Sequence, residues 1–444
     1  MPAFVFIVAY LILVLIRPQE YPRWADSGVP FLPVALILAV LAWLASRNKR
    51  FDEPQYPLLV LFTVATGISV AVNGWLGGAV EQYKQFMPTL VAFVLLANAI
   101  TTRRRTEQVM VVFILCALLL AWHGVEQSAL GVGWTGMPLV EDGRIQYVGI
   151  FSDPNDLGLL FVICLPMTVY MGSRGGMMGM RRLLWVAVGA FLLYGVYLTN
   201  SRGAMLAVVV MAGAHVWLRR GPMLAALIAA GCLTTMRLMP SRLTDLDVQE
   251  GSATGRVEAW YEGFRMFVEN PLFGVGTGSF EEYHTLTAHN SLILVLAENG
   301  LVGFIPWLAF VGYCFWMMLR VVRHSPELAD GDGDSDGDGD GDDADDVANE
   351  IVAAESWATD RAIAWTLLVS LAGFATCAFF LSRSYLILFY LLAAVVVAHF
   401  TDVRQRWPDV VPFRLRQDLV RWVLYSGVAV VVFYLILKVL LARL

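Results

Sequence analysis

The chain has 444 residues, of which 58% are hydrophobic and only 15% are charged, and its mean hydropathy is +0.64. Soluble domains carry about 25% charged residues, so this composition excludes a soluble enzyme and leaves little polar sequence for a separate catalytic domain. The formal charge of −6 comes from one tract, because ten of the 37 acidic residues lie between Asp330 and Asp346. The rest of the chain is mildly cationic, and nothing in it indicates nucleic-acid binding.

About thirteen apolar stretches, several of them shorter than the ~20 residues that cross a bilayer, run from Pro2 to Leu441; they include Phe86–Ile100, Met223–Leu238, Ala362–Leu381 and Tyr385–Phe400. They predict an all-α, polytopic integral membrane protein with about 12 to 13 transmembrane helices. The first stretch, Pro2–Ile16, has no basic n-region and no small-residue cleavage site, so we expect an uncleaved helix. Short cationic loops follow alternate stretches, and the positive-inside rule makes these loops cytoplasmic. They contain Arg47, Lys49, Arg50, Arg103, Arg104, Arg105, Arg174, Arg181, Arg182, Arg219, Arg220, Arg404, Arg406, Arg414 and Arg416.

This alternation divides the chain into four parts. Residues 1–148 hold the N-terminal transmembrane helices, and residues 149–319 form a core that includes an outer loop at 239–290. Residues 320–361 are a cytoplasmic loop, and residues 362–444 hold the C-terminal helices. The outer side therefore has enough polar sequence for a site.

The cytoplasmic loop contains an alternating Asp-Gly tract whose spacing fits part of a calcium-binding loop. The tract lacks the terminal glutamate, the apolar eighth position and the flanking helices of that motif, so its composition favours a solvated, disordered linker. We therefore expect no metal site and no cofactor. The residues in calcium-type register are Asp332, Asp334, Asp336, Gly337 and Asp343.

Several outer-loop motifs have structural explanations. Asp153-Pro154 fits a helix N-cap followed by proline at the first helical position, although a contact to a sugar is an alternative. The glycines at 131, 133 and 136 match a dinucleotide-binding pattern, but no strand precedes them and no helix begins after them. The glycine-rich residues 274–279 can bring backbone N–H groups to a phosphate, and a flexible connection is the favoured alternative.

Two arginines on the predicted outer side are candidates for a site, since the cations of this chain otherwise concentrate in the cytoplasmic loops. Arg202 occupies a tight turn between two apolar stretches, where the alternative role is snorkelling to lipid headgroups. Arg256 is placed in the first turn of a predicted amphipathic helix that lies against the membrane domain and ends at Asn270-Pro271. A cation is unfavourable there unless an anion binds it, and the alternative is a solvated surface arginine. The apolar face of this helix consists of Val257, Trp260, Phe264 and Phe267.

His289 stands where the outer loop enters the apolar run that begins at Ser291. We expect His289 in the first turn of the helix, where the helix dipole and nearby arginines favour the neutral imidazole, which accepts a proton. The alternative is a histidine that caps or packs at the interface. Glu298 lies deeper in the same run, and at about 100° per residue it faces away from His289 in a straight helix. We expect Glu298 to be a buried structural partner, unless a bend near Asn299-Gly300 changes this geometry.

Arg202, Arg256 and a neutral His289 on one side of the membrane suggest a diphosphate clamp with a general base. Guanidinium groups bind phosphate oxygens bidentately and stabilise the charge that a diphosphate gathers as it leaves a sugar. The imidazole takes the proton of the attacking hydroxyl in this hypothesis.

Four sequence motifs follow one another in the central part of the chain. They are Leu198-Thr199-Asn200-Ser201-Arg202-Gly203, Thr254-Gly255-Arg256 through Trp260, Asn270-Pro271-Leu272-Phe273-Gly274-Val275-Gly276, and His289-Asn290 with Glu298-Asn299-Gly300-Leu301-Val302-Gly303. In this order they resemble the bacterial O-antigen ligase and O-antigen polymerase superfamily of lipid-linked glycan transferases. A preceding segment, Gly149–Asn155, is similar to the segment before them in the family, so the resemblance covers about Gly149 to Gly312. The N-terminal third and the acidic tract match in hydropathy alone.

The resemblance implies a GT-C-like fold and a metal-independent, inverting glycosyltransferase in the inner (cytoplasmic) membrane of a bacterium, with its active site facing the periplasm. Such an enzyme takes a glycan from undecaprenyl diphosphate and attaches it to an acceptor hydroxyl. By motif, Arg202 and Arg256 match the diphosphate-binding arginines and His289 matches the histidine implicated in catalysis, either as the base or as an orienting group. Asn290 is a further substrate-binding candidate.

The acceptor is open at this stage. We favour an O-antigen ligase that uses lipid A-core in lipopolysaccharide biosynthesis; the alternatives are an O-antigen or exopolysaccharide polymerase, whose acceptor is a growing glycan, and a protein O-glycosylation ligase. A polysaccharide flippase or transporter is an alternative from another class, in which the arginines recruit substrate. The expected partners are the lipid-linked donor, the acceptor and membrane lipids, without nucleic acid. The acidic insert and a possible thirteenth span, which leaves the topology of the C-terminus open, depart from the family pattern.

Overall fold

The computed structural model describes residues 2–25, 28–47, 49–174, 179–221, 223–224, 226–227, 230–231, 251–326 and 342–442. Within these ranges the chain is helical, and its β-structure is limited to the isolated bridges Val132–Pro138 and Val140–Arg144. This confirms the predicted all-α class. The start of the predicted outer loop, most of the predicted span Met223–Leu238 and most of the calcium-type positions lie outside the described residues.

Thirteen helices of at least 14 residues occur in the described part of the chain. The apolar runs end at polar or glycine- and proline-containing segments, which is where the helices also end. The helices are α1 (Pro2–Ile16), α2 (Phe31–Leu44), α3 (Gln55–Val72), α4 (Leu76–Ala99), α5 (Arg103–Leu130), α6 (Pro154–Ser173), α7 (Met180–Leu198), α8 (Arg202–Arg220), α9 (Gly251–Glu269), α10 (Ser291–Arg323), α11 (Asp342–Ala378), α12 (Ile387–Arg406) and α13 (Leu415–Leu441).

Nine helices in the described ranges are long and apolar enough to cross a membrane, and two shorter apolar helices lie at Phe31–Leu44 and Arg202–Val216. The multi-pass prediction is confirmed, but fewer helices meet both criteria than the 12 to 13 that apolar stretches alone indicated. Helix α4 explains part of the difference, because it begins ten residues before the predicted Phe86 and its early turns contain Glu81 and Lys84.

Helix α12 lies in the centre of the bundle, where every residue from Leu388 to Val403 is buried. By contrast, most of α7 and most of α13 are exposed in the isolated chain. Helices that are apolar on all sides but buried on few of them require an apolar solvent. We therefore expect α7 and α13 to face lipid.

The cationic loops come together at one end of the bundle. Asp360 of α11 is fully buried, and it accepts hydrogen bonds from Arg103 at 2.9 Å and from Arg406 at 2.7 Å. Nearby, Arg404 donates to the buried Glu53 at 2.6 Å. From Asp360 to the end of α11 the helix rises about 27 Å, which is close to the thickness of a hydrocarbon core of about 30 Å. The end of α11 therefore lies at the opposite face.

Helix α10 bends at Gly300, whose φ of 56° and ψ of −159° are not helical. The bend interrupts the helical hydrogen bonds, and the segment 270–278 that follows α9 satisfies the exposed backbone groups, as a bilayer requires. The bend that the sequence left open is therefore present, and the glycine-rich segment donates backbone N–H groups to the helix at that bend. Val275 and Gly276 donate to the carbonyl oxygens of Ala297 and Glu298 at 3.0 and 3.1 Å, and Leu301 and Val302 donate to those of Pro271 and Leu272 at 2.9 and 3.1 Å.

Substituting Gly274 by alanine is expected to destabilise the protein strongly, because a β-carbon there lies 2.3 Å from the Glu298 carbonyl carbon. Gly278 is the matched control: it also has a positive φ, of 83°, but a β-carbon there meets nothing within 4 Å. The left-handed backbone alone costs on the order of 1–3 kcal/mol for a non-glycine residue, so Gly274→Ala should exceed Gly278→Ala. Thermal unfolding of the purified protein in detergent measures the difference, and equal unfolding temperatures would refute the close approach.

Candidate functional site

Four chain segments meet at the end of the bundle opposite Asp360. They are residues 153–156 at the start of α6, 199–203 at the start of α8, 289–291 at the start of α10, and the loop 379–386 between α11 and α12. The last two are joined directly, since Asn290 Nδ2 donates to the Phe379 carbonyl oxygen at 2.9 Å and Ser291 Oγ to that of Leu381 at 2.6 Å. The first two are joined by Arg144, which donates to the Thr199 carbonyl oxygen and to Asn155 Oδ1, both at 3.0 Å.

His289 immediately precedes the N-cap of α10, and its side chain is half-buried. Its backbone has a φ of 47°, which is uncommon outside glycine. Burial, followed by the positive charges of Arg256 and Arg383, lowers the pKa of His289 below its ordinary value, while Asp153 and Glu281 oppose the shift. The structure thus favours the neutral imidazole. His289 lies before the first turn of α10 and not within it, so burial and the neighbouring guanidinium groups, and not a position in the helix, account for its neutral form.

Asn290 is fully buried and caps α10. Its Oδ1 accepts from the N–H groups of Leu292 at 2.9 Å and Ile293 at 3.1 Å, while its Nδ2 holds the loop at Phe379. Both polar atoms of the predicted substrate contact are therefore engaged within the protein. In this arrangement Asn290 fixes the backbone that presents His289.

Helix α9 ends at Glu269, directly before the predicted stop. Its apolar face packs on the membrane domain, because the Trp260 ring lies 5.6 Å from the rings of both Phe379 and Phe433. A β-carbon at Gly263 would lie 2.5 Å from Ile293 of α10. The amphipathic helix is thus confirmed. It begins at Gly251, so Arg256 lies in its second turn instead of its first, half-buried and close enough to act on His289.

Arg202 is the first residue of α8 and is also half-buried. The adjacent Gly203 lies against the end of α11, because its carbonyl oxygen is 3.8 Å from Cys377 Sγ and a β-carbon there would be 3.7 Å from that of Phe380. The structure therefore brings Arg202, Arg256 and His289 to the same end of the bundle.

Arg383 is a further arginine at this end, and sequence reasoning missed it. Its Nη2 donates to Asp153 Oδ2 at 2.7 Å and its Nε bonds the buried Asp156. Asp153 also caps α6 as predicted, accepting from the Asn155 N–H at 2.9 Å. A cation on the outer side was the available signal, but Arg383 lies between two predicted spans that nearly join, at Leu381 and Tyr385.

Glu298 is buried within α10 and engaged by protein groups. The Tyr385 hydroxyl donates to its Oε2 at 2.8 Å and the Phe280 N–H to its Oε1 at 3.4 Å. These contacts agree with the structural role expected for Glu298. The bend follows Glu298 in the chain, so it does not lie between Glu298 and His289.

Chemically, this end of the bundle combines the guanidinium groups of Arg202 and Arg256 with a neutral imidazole. Such a set binds a multivalent anion and accepts a proton beside it. Among the described residues, no three or more His, Cys, Asp or Glu side chains are arranged to hold a metal ion.

Comparison with known proteins finds two family matches in this chain. Residues 186–308 match the family described as O-antigen ligase, a region that contains Arg202, Arg256 and His289. Residues 2–175 match a family of unknown function, DUF5935. No curated protein matches the chain.

Proposed function

We propose, from the match of residues 186–308 to the O-antigen ligase family, that this chain belongs to that family and is a glycosyltransferase acting on a lipid-linked glycan. The donor is an oligo- or polysaccharide on undecaprenyl diphosphate in the bacterial inner membrane, and the acceptor is a hydroxyl group. The half-buried His289 beside Arg256, within the matched region, is the observation that carries the proposal.

The proposed reaction is a single displacement at the anomeric carbon of the donor sugar. His289 takes the proton of the acceptor hydroxyl, the acceptor oxygen forms the new glycosidic bond, and the bond to the diphosphate breaks. Arg256 and Arg202 hold the diphosphate, whose negative charge grows in the transition state, so they stabilise that state more than the bound substrate. Attack from the face opposite the leaving group inverts the anomeric centre, and paired guanidinium groups allow the step to run without a metal ion.

The proposed side of the membrane is the periplasm. The loops of Arg103, Arg404 and Arg406 meet at the other end of the bundle, and cationic loops remain in the cytoplasm. Arg202, Arg256 and His289 would then face outward.

For the acceptor, we propose lipid A-core, as in an O-antigen ligase. A growing glycan, as in a polymerase, and a protein, as in an O-glycosylation ligase, are the other acceptors to test. A flippase would need the arginines along a path through the bundle, whereas in the described residues they group at one end with His289.

Deletion of the gene in its own bacterium, followed by analysis of surface and carrier-linked glycans, tests the proposal. Loss of a ligase should leave long glycan on its lipid carrier, and the wild-type gene should reverse this. Acceptors that bear a single repeat would indicate a polymerase instead. Units trapped at the cytoplasmic face would indicate a flippase and refute the transferase proposal.

The pH dependence of transfer should follow His289. A general base acts in its neutral form, and a lowered pKa keeps His289 neutral to lower pH. Activity should therefore persist as the pH falls through 6.5 and decline only below that value. The pH profile of kcat/KM measures this, and an acid limb centred above 6.5 would argue against His289 as the base.

A further inference from the structure

We propose that Arg383 is a positioning residue for His289: its ion pairs with Asp153 and Asp156 fix the loop 379–386 across the start of α10 and hold a second guanidinium group beside the imidazole. The catalytic part of this inference rests on the function proposed above. The structural part concerns the state of His289 and is measurable without glycan transfer.

Arg383 is anchored through both its side chain and its backbone. The guanidinium group bonds Asp153 and Asp156 at the start of α6. The Arg383 N–H donates to Ser291 Oγ at 2.9 Å, and Ser384 Oγ donates to the Ser291 carbonyl oxygen at 2.8 Å. One residue therefore ties α6 to the first turn of α10, two residues after His289.

The guanidinium group of Arg383 is engaged at all three of its nitrogen atoms by protein groups. Its Nε and Nη2 are both occupied by carboxylates, and its Nη1 lies 3.3 Å from the Ser382 carbonyl oxygen. Without Arg383, the buried Asp156 would be left without this ion pair, which is costly. Two carboxylates would also lie uncompensated at a site proposed to bind an anion. These contacts support a role for Arg383 that acts through its neighbours.

Charged groups on four elements affect the pKa of His289. They are Arg256 on α9, Arg383 on the loop 379–386, Asp153 before α6, and Glu281 on the short helix Phe280–Tyr283. Arg383 and Asp153 act on the imidazole in opposite directions, although they are bonded to each other. Removing the charge of Arg383 should therefore raise the pKa of His289, and removing the charge of Asp153 should lower it.

The test is the rate at which diethyl pyrocarbonate modifies His289 in the full-length purified protein, followed by peptide mass spectrometry across a pH series. Arg383→Gln should raise the apparent pKa of His289, because it removes a positive charge that favours the neutral imidazole. Asp153→Asn should lower it, because asparagine retains a good N-cap while removing the negative charge. General loss of structure would move both variants upward toward 6.5, so opposite directions identify the electrostatic effect.

Arg406→Gln is the matched control, since it breaks an ion pair to the buried Asp360 at the far end of the bundle. This variant should leave the titration of His289 unchanged. Arg383→Lys keeps the positive charge but not the geometry that pairs with two carboxylates, so the pKa of His289 should stay lowered in this variant. If Arg383→Gln does not fold, Arg383→Lys takes its place and is compared with Asp153→Asn.

An unchanged His289 titration in Arg383→Gln, or an upward shift in both Arg383→Gln and Asp153→Asn, would overturn the inference. If Arg383→Lys is used instead, the inference is overturned when Asp153→Asn does not lower the pKa of His289. If glycan transfer requires His289 and Arg256 but the pKa of His289 does not change in the Arg383 variants, this inference is refuted and the proposed function is not. The predicted shifts in a protein that transfers no glycan would refute the proposed function alone.

Discussion

Replacing His289 by alanine is expected to slow glycan transfer by about 10²- to 10⁴-fold, the usual contribution of a general base. The imidazole is half-buried, held neutral by burial, Arg256 and Arg383, and presented by the buried cap residue Asn290. The assay follows transfer from the carrier-linked glycan by purified protein, with membranes of the deletion strain as the source of acceptor. The loss should appear in kcat, because alanine leaves the arginines in place.

His284 provides the control for this variant. It lies in the same segment, five residues earlier, and its Nδ1 is hydrogen-bonded to the backbone of Leu286. His284→Ala should transfer glycan at close to the wild-type rate. Wild-type activity in His289→Ala would remove the proposed base.

Replacing Arg256 by alanine is expected to lower kcat by about 10²- to 10³-fold, as does the loss of one donor to a charge that develops in a transition state. Packing of Trp260 against Phe379 and Phe433 holds α9 in place, so the side chain should be lost without loss of the helix. Arg256→Lys should recover part of the rate, because a point charge remains but the bidentate fork does not.

Arg265 is a matched control on the same helix. It is exposed and pairs with Glu262 and Glu269 on the surface of α9, and such exposed pairs contribute about 0 to 1 kcal/mol. Arg265→Ala should therefore leave both stability and transfer near wild type. Equal losses in Arg256→Ala and Arg265→Ala would show that helix integrity, and not the charge at position 256, is what transfer requires.

Hydropathy and charge were sufficient to predict a helical multi-pass fold and the gathering of cationic loops at one end. The apolar periodicity of α9 and its end at Asn270-Pro271 were also predictable, because these depend on residues close in sequence. The role of the segment 270–278 was not predictable. It binds the backbone of α10 at the bend, and backbone carbonyl groups that a bend exposes do not dictate which side chains the binding segment carries.

The candidate site divides in the same way. His289, Arg202 and Arg256 were predicted because each is an ionisable residue on the outer side, next to an apolar stretch or near the start of an amphipathic helix. Arg383 has the same property, but its partners Asp153 and Asp156 lie 230 and 227 residues away. An N-cap explained Asp153 locally, so its second role became visible only when the fold brought α6 to the loop before α12.

The central claim, that this end of the bundle holds a lipid-borne diphosphate, is tested most directly by comparing the affinity of the purified protein for undecaprenyl diphosphate and for undecaprenyl monophosphate. The account predicts that the wild-type protein prefers the diphosphate by about tenfold or more, that Arg256→Ala and Arg202→Ala lose this preference, and that Arg265→Ala keeps it. Equal affinity of the wild-type protein for the two carriers, or a preference that survives both substitutions, would contradict it.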